Sequence, residues 1–353
     1  MWVRRMTRKR PWMVAELSAN HRGRMEIACD IVRYAAVAGA DAIKFQTFRA
    51  AQMVGNPKWV IPTGPWAGRA IGDLYAEAET PRAWHPELFA LARRHGLVPI
   101  STPFEPGDVQ FLETLECAAY KIASFEIQHH ALIKAAASTG KPVIISTGMA
   151  DVVHIADAVD VARAAGCKDL TLLKCTSAYP APEDTINLLD MAEMRSTFQC
   201  DVGLSDHTLG IGVSIGAAAL GATIIEKHLT TSRESGGPDA AFSMEPGEFS
   251  VLCREARRAH AARGEDRDTP AGRIRTGMAQ VDSAQMRRSL WYARGLLAGE
   301  TLVSADTRLA RPSAGLNPDK IGQVLGRSLR RDVRMGEPVS LEDFHPTTQQ
   351  EAP

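Results

Sequence analysis

Residues 202–228 read VGLSDHTLGIGVSIGAAALGATIIEKH. The stretch opens on a short apolar run, 202–205, and closes on another, 223–227, with small residues of helical character between them. Both runs end in polar groups, Asp206 and His207 after the first and Glu226, Lys227 and His228 on the second. Two strands joined by a helix, with their polar residues at the same end, make a parallel βαβ unit. Gly210, Gly212 and Gly216 have the wrong spacing for a dinucleotide loop, and no ribose-binding acid follows on a second strand. They are read as glycines of close helix packing.

Outward from this unit the same pattern repeats. Apolar, mostly β-branched runs at 12–17, 42–46, 97–101, 119–123, 143–146 and 170–175 bring the total to eight. Amphipathic stretches such as 26–38, 85–95 and 151–165 lie between them, several ending at Gly39, Gly96 or Gly166 as helix C-caps. Eight such repeats predict an α/β fold of the (β/α)8 TIM-barrel type, here over 1–262. The connection 48–86 is long, carries Trp59, Trp66 and Trp84, and is expected to cover the barrel mouth. A charged, Gly-containing stretch, 263–286, reads as a linker, and the short strand-like runs of 287–353 as a small separate domain.

Composition narrows the partners. The chain is 45% hydrophobic and 23% charged, the balance of a soluble globular protein. Lys plus Arg and Asp plus Glu are equal at 41 each, so no net field favours nucleic acid or an anionic membrane, and a small-molecule partner is expected. The six cysteines are scattered without a Cys-x-x-Cys pair, which fits reduced thiols in a cytoplasmic protein. The basic start, 1–10, reads as a frayed terminus, because the apolar stretch after it is broken by Glu16 and is too short for a signal or membrane span.

Active sites of such barrels lie at the C-terminal ends of the strands. The polar residues expected there are Glu16, Asn20 and His21, then Lys44 and Gln46, Ser101 and Thr102, and Lys121, Ser124 and Glu126. They continue through Ser146 and Thr147, Lys174, Ser177 and Tyr179, Asp206 and His207, and Glu226, Lys227 and His228. Lysines within apolar strands are costly to desolvate unless an anion meets them, so an anionic substrate is expected. His207 and His228 close adjacent strands and can reach one ion, and two nitrogens with oxygen completing the shell suit Mn²⁺ or Mg²⁺. From the residues alone two other classes stay open: a Schiff-base barrel aldolase using Lys44, Lys121 or Lys174, and a non-catalytic carbohydrate-binding or ice-binding protein.

The runs AELSANH (15–21), GADAIKFQT (39–47), STPF (101–104), YKIASFE (120–126), STGM (146–149), CTSAYP (175–180), LSDHTLG (204–210) and IEKH (225–228) resemble the sialic acid synthase family in order. The resemblance covers nearly the whole chain. It implies condensation of phosphoenolpyruvate with an open-chain acetamido aldose to give a nine-carbon 2-keto sugar acid and phosphate. His207 and His228 would hold the metal, and Lys44, Lys121, Thr102, Ser124 and Ser146 the phosphate and carboxylate. Glu126 would handle water or protons, with Glu16 and Asp239 touching the sugar or metal-bound water, and Gln46, Tyr179 and Asn187 completing the substrate contacts. The run with Arg311-Pro312 and Gly315-Leu316 looks like the family's antifreeze-like (SAF) domain, which implies a homodimer in which that domain lies over the partner's barrel and Arg311 reaches its sugar site. Ser313 departs from the glycine usual in that loop. The segment GGPDAAFSMEP (236–246) resembles the pseudaminic acid synthase branch, implying 2,4-diacetamido-2,4,6-trideoxy-altrose as the aldose. N-acetylneuraminate and legionaminic acid synthases are the alternatives. Phe125 or Phe242 would then suit the sugar's methyl and acetyl groups.

Overall fold

The computed structural model describes residues 10–264 and 281–346. Two compact units divide the chain, Met1–Glu265 and Asp266–Pro353. The expected frayed start (through residue 9) and most of the expected linker (265–280) lie outside the described residues.

The first unit is a closed barrel of eight parallel strands in sequential order. They are β1 (Trp12–Glu16), β2 (Ala42–Thr47), β3 (Val98–Pro103), β4 (Tyr120–Ile122), β5 (Val143–Ser146), β6 (Leu170–Cys175), β7 (Asp201–Asp206) and β8 (Ile224–His228). β1 closes the ring on β8, with Glu16 opposite His228. The main helices are α1 (Met25–Val37), α2 (His85–Arg94), α3 (Pro106–Glu113), α4 (His130–Ala137), α5 (Val152–Ala164), α6 (Asp190–Phe198), α7 (Gly212–Ala219) and α8 (Pro246–Arg263). One follows each strand. The fourth strand is shorter than its apolar run, because Ser124–Glu126 coil into a 3-10 turn directly after it.

Two apolar layers hold the barrel. The large core lies between strands and helices and includes Met13, Ile43, Phe45, Tyr120, Ile122, Leu172 and Ile225. A separate cluster of Val14, Ala42, Ile100, Ala119, Ile144, Leu173 and Ile224 fills the barrel interior. Because side chains alternate along a strand, the residue two positions beyond each plug residue also points inward, one layer nearer the C-terminal mouth. Those residues are Glu16, Lys44, Thr102, Lys121, Ser146, Cys175 and Glu226. The eighth position in the plug layer is Gly203, where a Cβ would come within 2.3 Å of Ile224 O and 2.8 Å of Leu173. A side chain there would dislodge the neighbours that seal the floor.

The long connection after β2 contains a short helix, Ala50–Met53, and a second, Ile71–Ala78, joined through an isolated bridge between Val60 and Ala70. Its far end is pinned by buried histidines. His21 Nε2 lies 3.3 Å from Ala78 O, and His85 Nδ1 lies 3.2 Å from Pro81 O.

The second unit has its own core of Leu290, Tyr292, Leu296, Leu302, Val324, Leu329, Val333, Val339 and Phe344. Its strands β9 (Ser289–Tyr292) and β10 (Thr307–Ala310) pair antiparallel. Gly315 is required by close approach, since a Cβ would lie 2.1 Å from Leu290 O. Arg311 follows β10 and is exposed. No described helix is long and apolar enough to cross a membrane, and all six thiols are free.

Candidate active site

Above the apolar plug the inward layer forms a charged floor. Lys44 Nζ lies 2.7 Å from Glu16 Oε2 and 3.3 Å from Glu226 Oε1. Lys121 Nζ donates to the same Glu226 oxygen at 3.1 Å, as does Ser205 Oγ at 3.1 Å. Lys44 also donates to Thr102 Oγ1 at 3.3 Å. All four charged residues are at most 5% exposed, so each depends on its partners for solvation.

Electrostatics separates the two carboxylates. Burial pushes Glu16 up to about 7, with Glu226 adding to the rise and Lys44 opposing it. Burial acts on Glu226 in the same sense, but the ammonium groups of Lys121 and Lys44 outweigh it and hold Glu226 well below the usual carboxylate range. Burial also raises Glu126 to about 7, with Lys121 opposing. A carboxyl near neutrality can give or take a proton at working pH.

The floor opens into a cavity of about 200 Å³. Its lining carries polar groups from the strand ends and following turns, Ser18, Gln46, Ser124, Glu126, Ser146, Tyr179, His207, His228 and Asp239. Mostly apolar groups complete the lining, Phe48, Trp66, Leu74, Tyr75, Ala78 and Phe104, with Trp66 packed on Tyr179 at 5.6 Å. Of the three tryptophans in the long connection, Trp66 reaches the cavity, and its Nε1 donates to Pro238 O at 2.8 Å. Trp59 is 48% exposed, and Trp84 packs edge-on to His21 at 5.5 Å. Phe125 lines the rim and is 63% exposed. Phe242 lies behind the lining, packed on Tyr179 at 5.1 Å and His228 at 5.2 Å.

The two histidines meet as the sequence implied, with ring centroids 5.5 Å apart. His207 Nδ1 lies 3.0 Å from Thr176 O. A carbonyl only accepts, so Nδ1 carries the proton and a neutral ring keeps its lone pair on Nε2. Burial lowers the His207 imidazole, but Cys175 beside it outweighs that effect and leaves the ring above its ordinary value. Burial and the charge of His207 keep His228 well below its ordinary value, and thus neutral. Its Nδ1 is buried with no hydrogen-bond partner among the described residues, as are Glu126 Oε2, Ser146 Oγ and Glu226 Oε2. Asp239 Oδ2 stands 3.9 Å from His228 Nδ1 and accepts from Ser18 Oγ. No group of three or more His, Cys, Asp or Glu side chains among the described residues is arranged to hold a metal. The donor set is two imidazoles with a carboxylate nearby, which fits a divalent cation completed by water and substrate oxygen.

Several expected residues fall elsewhere. Lys174 points outward and pairs with Asp190 of α6 at 2.6 Å. Lys227 also faces away from the cavity, toward Asp206. Asn187 is exposed on the loop before α6, its amide donating to Thr185 O at 3.4 Å. Arg311 lies in the second unit, where the sequence placed it. Trp66 lines the cavity from the connection expected to cover the barrel mouth; Ser205 and Cys175 line it too, with no role expected of them, and Glu226, expected only as a strand-end group, stands at the centre of the floor.

Paired lysines and carboxylates at the strand ends of a closed (β/α)8 barrel, beside two converging histidines, suit the binding of an anion next to a divalent cation. The chain belongs to the NeuB family, whose profile matches residues 31–268, and a SAF domain matches residues 287–345. It is 36% identical to the pseudaminic acid synthase of Helicobacter pylori over 95% of this chain and 98% of that one. Its identity to the pseudaminic acid synthase of Campylobacter jejuni is 34%, over 96% of this chain and 98% of that one. Among solved structures it resembles the N-acetylneuraminic acid synthetase of Leptospira borgpetersenii in complex with citrate, with a TM-score of 0.70 and 30% identity, over 78% of this chain and 90% of that one.

Proposed function

We propose that this chain condenses phosphoenolpyruvate with 2,4-diacetamido-2,4,6-trideoxy-altrose, giving pseudaminic acid and phosphate. The observation that carries the reading is the buried floor in which Lys44 and Lys121 alternate with Glu16 and Glu226 beside two neighbouring histidines. Similarity to pseudaminic acid synthases over 96% of the chain supports the choice of aldose.

In this reading Lys44 and Lys121 bind the phosphate and carboxylate of phosphoenolpyruvate, and Ser124 and Ser146 donate to the same anionic oxygens. Thr102 orients Lys44 from the neighbouring strand. Glu126 exchanges a proton with the water that adds at C2, a role suited to a carboxyl near 7. Glu16, Gln46, Tyr179 and Asp239 contact the sugar. The apolar side wall excludes water and receives the sugar's methyl and acetyl groups. His207 and His228 would hold Mn²⁺ or Mg²⁺, which when bound supplies Lewis-acid polarisation of the aldehyde oxygen. The protein acts in the cytoplasm as a homodimer, Arg311 of one chain serving the sugar site of its partner.

The test is steady-state kinetics with phosphoenolpyruvate and a panel of acetamido aldoses, with Mn²⁺ and with chelator. The reading expects kcat/KM for the trideoxy-altrose to exceed that for N-acetylmannosamine by about 10–200-fold. It also expects turnover to disappear on chelation and return with Mn²⁺. Preference for N-acetylmannosamine would move the chain to the sialic acid branch, and full turnover in chelator would remove the metal.

A further inference from the structure

Behind the cavity, on the outer face of β7 and β8, lies another pair of opposite charges that the reaction does not use. Asp206 and Lys227 are 2% and 1% exposed. They stand opposite one another in the β7–β8 register, at the rung next to the two histidines. Asp206 Oδ2 accepts from Lys227 Nζ at 2.8 Å and from Ser214 Oγ of α7 at 2.5 Å. Asp206 Oδ1 accepts from Thr208 N at 2.9 Å and from Thr208 Oγ1 at 2.8 Å. Lys227 Nζ donates again to Thr208 O at 2.7 Å.

These bonds enclose His207. The side chain of Asp206 bridges to Thr208 across it, and Lys227 grips both ends of that turn from the adjacent strand. Lys227 is also the residue immediately before His228, so one ammonium links the backbone carrying each imidazole. A buried ion pair adds little net stability, because desolvation offsets the attraction. Its directional bonds nevertheless fix the geometry of whatever is attached to them.

We propose that Asp206 and Lys227 are positioning residues which set the separation and orientation of the two imidazoles for a divalent cation. This rests on the two-histidine metal reading above. Neither residue touches substrate or cation. Each acts through the backbone of the histidine beside it.

The test uses the full-length protein with Mn²⁺, titrated by the electron paramagnetic resonance signal of the free ion. The double variant Asp206→Asn/Lys227→Met removes both charges while keeping an amide oxygen to accept from Thr208 N. Its Mn²⁺ Kd is expected to rise about 10–100-fold. Phosphoenolpyruvate affinity by calorimetry without metal should stay within about twofold, since a loss confined to the cation is what a merely structural pair would not give. Should the double variant fail to fold, Ser214→Ala removes a single donor, and its Kd should rise about threefold or more, the cost of one hydrogen bond. Wild-type Mn²⁺ affinity in the folded double variant, or equal losses of Mn²⁺ and phosphoenolpyruvate binding, would overturn the proposal. His228→Ala serves as the control. If the wild type binds no Mn²⁺, or His228→Ala binds it equally well, the metal reading falls and this inference falls with it. If the control loses binding and the double variant retains it, only this inference fails.

Discussion

The floor and the side wall of the cavity are built from opposite materials. On the floor, Lys44, Lys121, Glu16 and Glu226 come from strand ends and are locked by ion pairs of 2.7–3.3 Å. On the wall, Phe48, Trp66, Leu74, Tyr75 and Ala78 come from the connection after β2, which is tied down by a few bonds such as Trp66 to Pro238. In the proposed reaction each surface has its own task. A rigid charged lattice suits a small anion of fixed shape, whereas a loop-borne apolar surface suits the variable substituents of a sugar.

The largest effect that could break this division comes from the floor. Lys121→Ala should cost about 2–5 kcal/mol in phosphoenolpyruvate binding, roughly 30- to 4,000-fold, because it deletes a cation and weakens the solvation of buried Glu226. Calorimetric titration checks it. An unchanged phosphoenolpyruvate Kd with a weakened aldose would reverse the assignment of the two surfaces.

A smaller effect is expected from the wall. Trp66→Ala should raise KM for the aldose about 10-fold while KM for phosphoenolpyruvate stays within about twofold. Initial-rate measurements with each substrate varied in turn give both constants. Equal rises in the two would mean that Trp66 closes the whole cavity and does not discriminate.

The smallest concerns proton linkage at the junction of the two surfaces. Burial raises Glu126 from 4.5 to about 7 in the folded chain. The folded state therefore holds this proton more tightly than the unfolded state, and the associated stability is present below about 4.5 and lost as pH rises through about 7. Glu126→Gln, which cannot ionise, should melt above the wild type at pH ~8, and the gap should narrow toward pH ~5. Thermal melts at the two pH values check the sign, and a gap that widens toward acid would contradict it.

The same contrast governs what the sequence made legible. Strand-borne residues could be read because alternation is strict: once Val14, Ala42, Ala119 and Ile224 plug the barrel, Glu16, Lys44, Lys121 and Glu226 must follow in the next layer. Applied consistently, that rule would have turned Lys174 outward, since Cys175 beside it faces the cavity. It would also have kept Glu226 in the site while turning Lys227, expected there beside it, outward to Asp206. Loop residues obey no such period. Nothing in residues 48–86 distinguishes Trp66, which lines the cavity, from exposed Trp59, because their positions depend on how the connection folds back over the barrel. The aromatic contact expected of Phe242 illustrates the limit, since that ring packs behind Tyr179.

The most direct measurement of the central claim is mass spectrometry of a reaction containing phosphoenolpyruvate labelled with ¹⁸O at its bridging oxygen, the diacetamido trideoxy-altrose and Mn²⁺. A nine-carbon 2-keto acid should form in step with phosphate, with the label carried away in the phosphate through carbon–oxygen cleavage. Release of phosphate without a condensed acid, or retention of the label in the sugar product, would contradict it.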